Sequence, residues 1–148
     1  MALLKITKLF LLFYDEADAN IHGRLYEYNL STPYDVSTLS LVTSAGIELG
    51  DTATEVDNPA AVRFSPNGKR LFIVSHFDSD ASDRGVTQIT LSNPFDTSSF
   101  VTDGKFNLDA ATPSNKQPRG VAFNSNGKNL IAPFCIAINE FTIGFSKK

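Results

Sequence analysis

Apolar positions along the chain come in short runs separated by turn residues, and no stretch keeps a helical period. Residues 58–116 show the unit most completely. Residues 61–64 form a first short strand, followed by Ser65-Pro66-Asn67-Gly68, where Pro presets φ for a turn and Asn-Gly readily takes positive φ. A second strand, 70–75, contains Leu71-Phe72-Ile73-Val74, which does not alternate, so both its faces are expected to be buried. After a loop rich in Asp and Ser, residues 86–91 put Thr87, Ile89 and Leu91 on one face and Gln88 and Thr90 on the other. Tyr26, Tyr28 and Leu30 keep the same alternation with Glu27 and Asn29. The turn Asn93-Pro94-Phe95-Asp96 leads to a fourth strand near 99–102.

The unit recurs. Asn58-Pro59-Ala60-Ala61-Val62-Arg63-Phe64-Ser65-Pro66-Asn67-Gly68-Lys69 returns as Gln117-Pro118-Arg119-Gly120-Val121-Ala122-Phe123-Asn124-Ser125-Asn126-Gly127-Lys128. Leu30-Ser31-Thr32-Pro33-Tyr34-Asp35 matches Leu91-Ser92-Asn93-Pro94-Phe95-Asp96, and Val86-Thr87-Gln88-Ile89-Thr90-Leu91 matches Ile138-Asn139-Glu140-Phe141-Thr142-Ile143. Ser40-Leu41-Val42-Thr43 aligns with Ser99-Phe100-Val101-Thr102 once a two-residue insertion is placed near 36–39. Three parts follow: 1–57 with strands two to four, 58–116 complete, and 117–148 with strands one to three. Short antiparallel strands in a fixed tandem unit, with a doubly buried second strand, predict an all-β fold of four-stranded β-propeller-type blades. A β-sandwich is the alternative, but it does not explain why turn and strand recur together. Two and a half units fall short of the roughly four blades of a closed ring. Further blades of a longer chain, or copies of this one in a homo-oligomer, are therefore expected partners.

The repeated pattern, carried by Pro59, Val62, Phe64, Asn67-Gly68-Lys69, Leu71, Val86, Gln88, Leu91-Ser92 and Pro94-Phe95-Asp96 with their counterparts, resembles the tandem propeller repeats of the YVTN/NHL/lactonase-like group. Arrays of this kind in marine bacteria and their phages are similar. The resemblance implies a fold and blade turns, and little about chemistry.

The chain has 148 residues, 42% hydrophobic and 20% charged, which is globular composition rather than that of a disordered segment. A net charge of −3 without a basic stripe argues against nucleic acid as a partner. A single Cys, Cys135, excludes an intrachain disulfide framework, and it reads as a small buried residue rather than a nucleophile. Near the start, Lys5 and Lys8 precede an apolar run at 9–14, with Ala17-Asp18-Ala19 loosely imitating a cleavage site. The run is shorter than the roughly 7–15 residues of a signal core and the roughly 20 of a membrane helix. It is taken as a buried strand, and no membrane span is expected. An extracellular, cell-surface or virion setting suits such arrays better than the cytoplasm.

In a four-stranded meander the short repeated turns lie at one end, and the loops of variable length at the other. The variable loops are expected to form a binding face for a protein or glycan, with Asp15, Asp18, His22, His76, Asp78, Arg84 and Arg119 as candidates. Asp78, Asp80 and Asp83 alternate like the start of a calcium loop, but Asp83 stands where such a loop needs Gly and no closing Glu follows. A solvated acidic hairpin is the favoured reading over calcium, and no cofactor is expected. The two His do not align and lack zinc-site spacing. Arg119, in place of Ala60, reads as a solvated strand-end residue, with an anion-facing position on the propeller axis as the alternative. The first-strand ends Ala61, Val62, Gly120 and Val121 carry no recurring carboxylates, which favours a non-catalytic module over a fragment of a lactonase-like hydrolase.

Overall fold

A computed structural model describes residues 7–14, 23–49, 56, 58–75, 84–108, 118–124, 127–133 and 138–142. Three antiparallel sheets follow one another along the chain. The first is β1 (Lys8–Tyr14), β2 (Gly23–Leu30) and β3 (Leu39–Leu49). The second is β4 (Pro59–Phe64), β5 (Arg70–Ser75), β6 (Gly85–Leu91) and β7 (Phe100–Asn107). The third is β8 (Ala122–Phe123), β9 (Asn129–Pro133) and β10 (Ile138–Thr142). The only helical element among the described residues is a single 3-10 turn, Val36–Thr38. The fold is all-β and built of antiparallel propeller-type blades.

The second strand of the complete sheet explains the stacking. Leu71 and Ile73 enter a core with Leu25, Ile47 and Leu49 of the first sheet and Ile89 and Leu91 of their own. Phe72 and Val74 point the other way, into a core with Val86, Leu108, Leu130 and Ala132. Side chains alternate along a strand, so an unbroken apolar run serves two interfaces at once. Ring pairs mark the two gaps: Phe10 on Phe64 and Phe72 on Phe123, each with centroids 4.5 Å apart.

The turns repeat in conformation as well as in sequence. Tyr34 and Phe95 both take positive φ, 65° and 56°, and Gly68 and Gly127 both sit at 68°. Gly68 N–H donates to Ser65 O at 2.8 Å, and Gly127 N–H to Asn124 O at 3.0 Å. At Gly68 a Cβ would also meet the Phe95 ring at 2.3 Å, whereas at Gly127 it would meet nothing within 4 Å among the described residues. Both Gly→Ala substitutions should cost the roughly 1–2 kcal/mol of left-handed backbone. Gly68→Ala should cost measurably more, because the ring must move. Urea denaturation of the two variants side by side checks the order, and equal losses would refute the ring contact.

Two expectations require correction. The fourth strands run well past 99–102 and its counterpart, because a bulge lets each continue pairing beyond the irregularity. In β7 the register shifts between Gln88 and Ile89, and Asp103 is the extra residue. The two-residue insertion is also not near 36–39. Leu30 pairs with Leu39 and Leu91 with Phe100, so the two turns have equal length and Leu39, not Leu41, matches Phe100. From Tyr28↔Leu41 to Tyr26↔Gly46, β2 advances two residues while β3 advances five. From Ile89↔Thr102 to Gln88↔Gly104 the steps are one and two. The extra pair of residues sits inside the bulge of β3.

Candidate functional site

Of the residues proposed for the variable end, Asp15, Asp18, His22, His76, Asp78, Asp80 and Asp83 lie outside the described residues, as does Cys135. Arg84 and Arg119 are described. Arg84, just before β6, is buried, and its carbonyl accepts from Leu108 N–H at 3.0 Å. Arg119 is exposed, and its N–H donates to Pro133 O at 2.9 Å, which ties the segment before β8 to the end of β9. Among the described residues no cluster of three His, Cys, Asp or Glu is arranged for a metal. None of their helices is long and apolar enough to cross a membrane.

At the repeated end, polar side chains are occupied with the turns themselves. Asp35 Oδ1 accepts from Ser37 N–H at 3.0 Å and Ser37 Oγ at 2.7 Å. Asp96 does the same with Ser98, at 3.0 and 2.5 Å. These hydrogen bonds, the Ser hydroxyl foremost, hold both carboxyls below their ordinary pKa; at Asp96 the nearby Lys8 ammonium adds a smaller pull. A carboxyl whose pKa is lower in the folded state stabilises it above the unfolded pKa, near 3.9. That contribution is lost as pH falls through the lowered folded value. The Asp35→Asn, Asp96→Asn double variant should therefore lose stability relative to the parent at pH 7, and the gap should close as pH falls through this range. Thermal melts across pH 2–7 (about the span in which Asp titrates) measure it.

A buried polar rung links the first two sheets, and sequence reading missed it. Glu27 on β2 is 2% exposed. It pairs with Lys8 of β1 and accepts from Thr97 N–H and Thr97 Oγ1 of the second sheet, both at 2.9 Å. Lys8 also donates to Phe95 O at 2.8 Å. The strand registers put Phe72↔Gln88 where Phe10↔Glu27 stands, and Arg70 where Lys8 stands. Gln88 donates to Asp103 Oδ2 at 2.7 Å, as does Thr90 Oγ1. In the third sheet the same places hold Asn129 and Glu140. The cation is kept at Arg70 while its in-sheet carboxylate is replaced by an amide. The signal was present in the aligned repeats as Glu27 against Gln88.

Beside Arg70 lies a cavity of about 620 Å³ between the second and third sheets, lined among others by Arg63, Phe72, Phe123 and Gly127. A second hollow around Lys69 and Arg70 adjoins it. Among the described residues no carboxylate lines either, and three cations, Arg63, Lys69 and Arg70, border them on a chain of net negative charge.

The successive antiparallel sheets define the class as a propeller-type all-β fold. The fold is similar to the crystal structure of a Bacteroides fragilis protein described as a candidate 6-phosphogluconolactonase, with a TM-score of 0.57 and 18% identity. The likeness covers 93% of this chain and 32% of that one, so the chain spans about a third of that protein's length. No protein-family profile matches the sequence, and none of the curated proteins does.

Proposed function

We propose that the chain is a non-catalytic β-propeller module of the YVTN/NHL/lactonase-like kind. It is completed by further blades of a longer chain or by other copies, and it displays a protein- or glycan-binding face on its variable loops. The observation that supports this best is the use of polar groups at the repeated end. There Asp35, Asp96, Ser37, Ser98, Ser65 and Asn124 bond their own turns and so build the scaffold. The loops of differing length at the other end are left free to vary. The test is a glycan array probed with the parent chain and with a variant whose loops 15–22 and 76–83 are replaced by Gly-Ser. Binding that disappears in the variant supports the reading; binding to no glycan, or binding unchanged by the replacement, counts against it.

A second reading, part of a propeller hydrolase, rests on the likeness to the Bacteroides fragilis protein. Likeness at this identity speaks for fold, and function is a property of the site. Hydrolysis of 6-phosphogluconolactone by the purified chain would displace the first reading.

A further inference from the structure

We infer that the cavity beside Arg70 is a ligand site for a phosphate monoester with an apolar or aromatic body. Its charge comes from departures from the repeat. Arg63 stands where the third sheet has Ala122, and Arg70 where it has Asn129. Gln88 stands where the first and third sheets have Glu27 and Glu140. Each difference adds a positive charge or removes a negative one. All three fall on the face of the second sheet that Phe72 turns toward the third. Lys69 adds a further cation beside Arg70.

Arg63 pairs with Phe72 across β4 and β5, and Arg70 lies two residues from Phe72, so the two are diagonal neighbours on one face. Like charges so placed repel. In the first gap the matching cation, Lys8, is answered by Glu27. Among the described residues Arg63, Lys69 and Arg70 have no such answer, since the ion pairs there are Lys8–Glu27 and Arg24–Glu48. Asp103 is bonded to Gln88 and Thr90 and does not line the cavity. Glu140 pairs with Ile131, not with Leu130 or Ala132, which face the second sheet. The stretches 125–126, 134–137 and 143–148 contain no Asp or Glu, so none of them can supply a carboxylate side chain. Two planar guanidinium forks suit the oxygens of a tetrahedral anion. Three cations favour the dianion of a phosphate monoester over a singly charged carboxylate or sulfate ester. The cavity, about 620 Å³, is of the size of small-molecule sites and far larger than a bare phosphate. Phe72 and Phe123 line it as a ring pair, while Ser65 Oγ and Asn124 Oδ1 are bonded within their own turns. Ring faces with few open polar groups fit an apolar or aromatic body better than the hydroxyls of a sugar.

The site lies among the repeated turns and does not use the variable loops. Its probe is phenyl phosphate, titrated into the full chain in low salt by calorimetry and by NMR. The titration is run at about pH 8, above the second pKa of a phosphate monoester near 6. The expected result is saturable one-to-one binding with a Kd of about 0.1–1 mM, with shifts at Phe123 and Gly127. Inorganic phosphate, benzoate and phenyl sulfate should each bind about tenfold or more weakly. Arg63→Gln and Arg70→Gln should each weaken phenyl phosphate by about tenfold or more. Both side chains are exposed, so the variants should fold, and circular dichroism checks it. Replacing loops 15–22 and 76–83 should leave the affinity within about twofold, which keeps this result apart from the display reading. No binding at about 10 mM phenyl phosphate, an affinity matched by any of the other three anions, or binding indifferent to either substitution overturns the inference.

Discussion

Ile73→Ala should destabilise the chain by about 3–4 kcal/mol, among the larger losses that one side chain can cause. Ile73 is fully buried in the middle of β5, packed with Leu25 and Ile47 of the first sheet and Ile89 of its own. Truncation removes its transfer free energy and leaves a cavity between two sheets whose backbones are fixed by hydrogen bonds on both sides of β5. The first sheet buries its Leu25, Ile47 and Leu49 through this interface, so the loss falls on both sheets together. For a chain of this length it should lower Tm by about 10 °C. Val101→Ala on β7, where the side chain is 66% exposed, is the control and should stay within about 0.5 kcal/mol. Comparable losses for the two variants in urea denaturation would show that the interface is not packed as described.

The second large effect belongs to Glu27. Glu27→Ala should cost about 3 kcal/mol, because it strands two donors of Thr97 and one ammonium in a gap with little water. Thr97 is fully buried and has no solvent to turn to; Lys8 is partly exposed and recovers some of its hydration. Glu27→Gln keeps an acceptor for Thr97 and should cost clearly less, since the chain itself places an amide at this position in the next sheet, Gln88. The order Ala well below Gln, with Gln below the parent, is the expected outcome of thermal melts at neutral pH. An alanine variant as stable as the parent would remove the rung from any account of how these sheets dock.

Much of this fold was legible because strand and turn grammar are local. The non-alternating run Leu71-Phe72-Ile73-Val74 announced a strand buried on both faces, and β5 is one. Asn-Gly and Pro–aromatic–Asp announced turns, and both conformations appear twice. The misplaced insertion shows where this grammar ends. Sliding β3 by two residues leaves every side chain on the same face, so the apolar pattern cannot distinguish the registers. The partial identity of Ser40-Leu41-Val42-Thr43 with Ser99-Phe100-Val101-Thr102 then favoured the wrong one. Only the pairing of Leu39 opposite Leu30 reveals the bulge. The site residues were less legible for a different reason. Glu27 and Thr97 are 70 residues apart and meet only because consecutive sheets stack. An alternation argument sees Glu27 only as a polar residue on one face of a strand, without showing what that face meets. The cavity beside Arg70 is a property of two adjacent units, which no single unit's sequence displays.

The polar rung also bears on how such a chain can change by recombination. The sheets share their apolar pattern, and tandem units invite in-frame loss of one copy. Joining the first sheet directly to the third would keep only part of the aliphatic interface, with Leu130 where Leu71 stood but Ala132 where Ile73 stood. It would also remove Thr97 from Glu27 and leave a carboxylate facing a sheet in which no described turn can answer it. The amide at Gln88 carries no such penalty toward whatever follows it. The order of the sheets is thus recorded in single positions, polar at Glu27 and apolar at Ile73, and deletion of the middle unit would meet an energetic barrier at both.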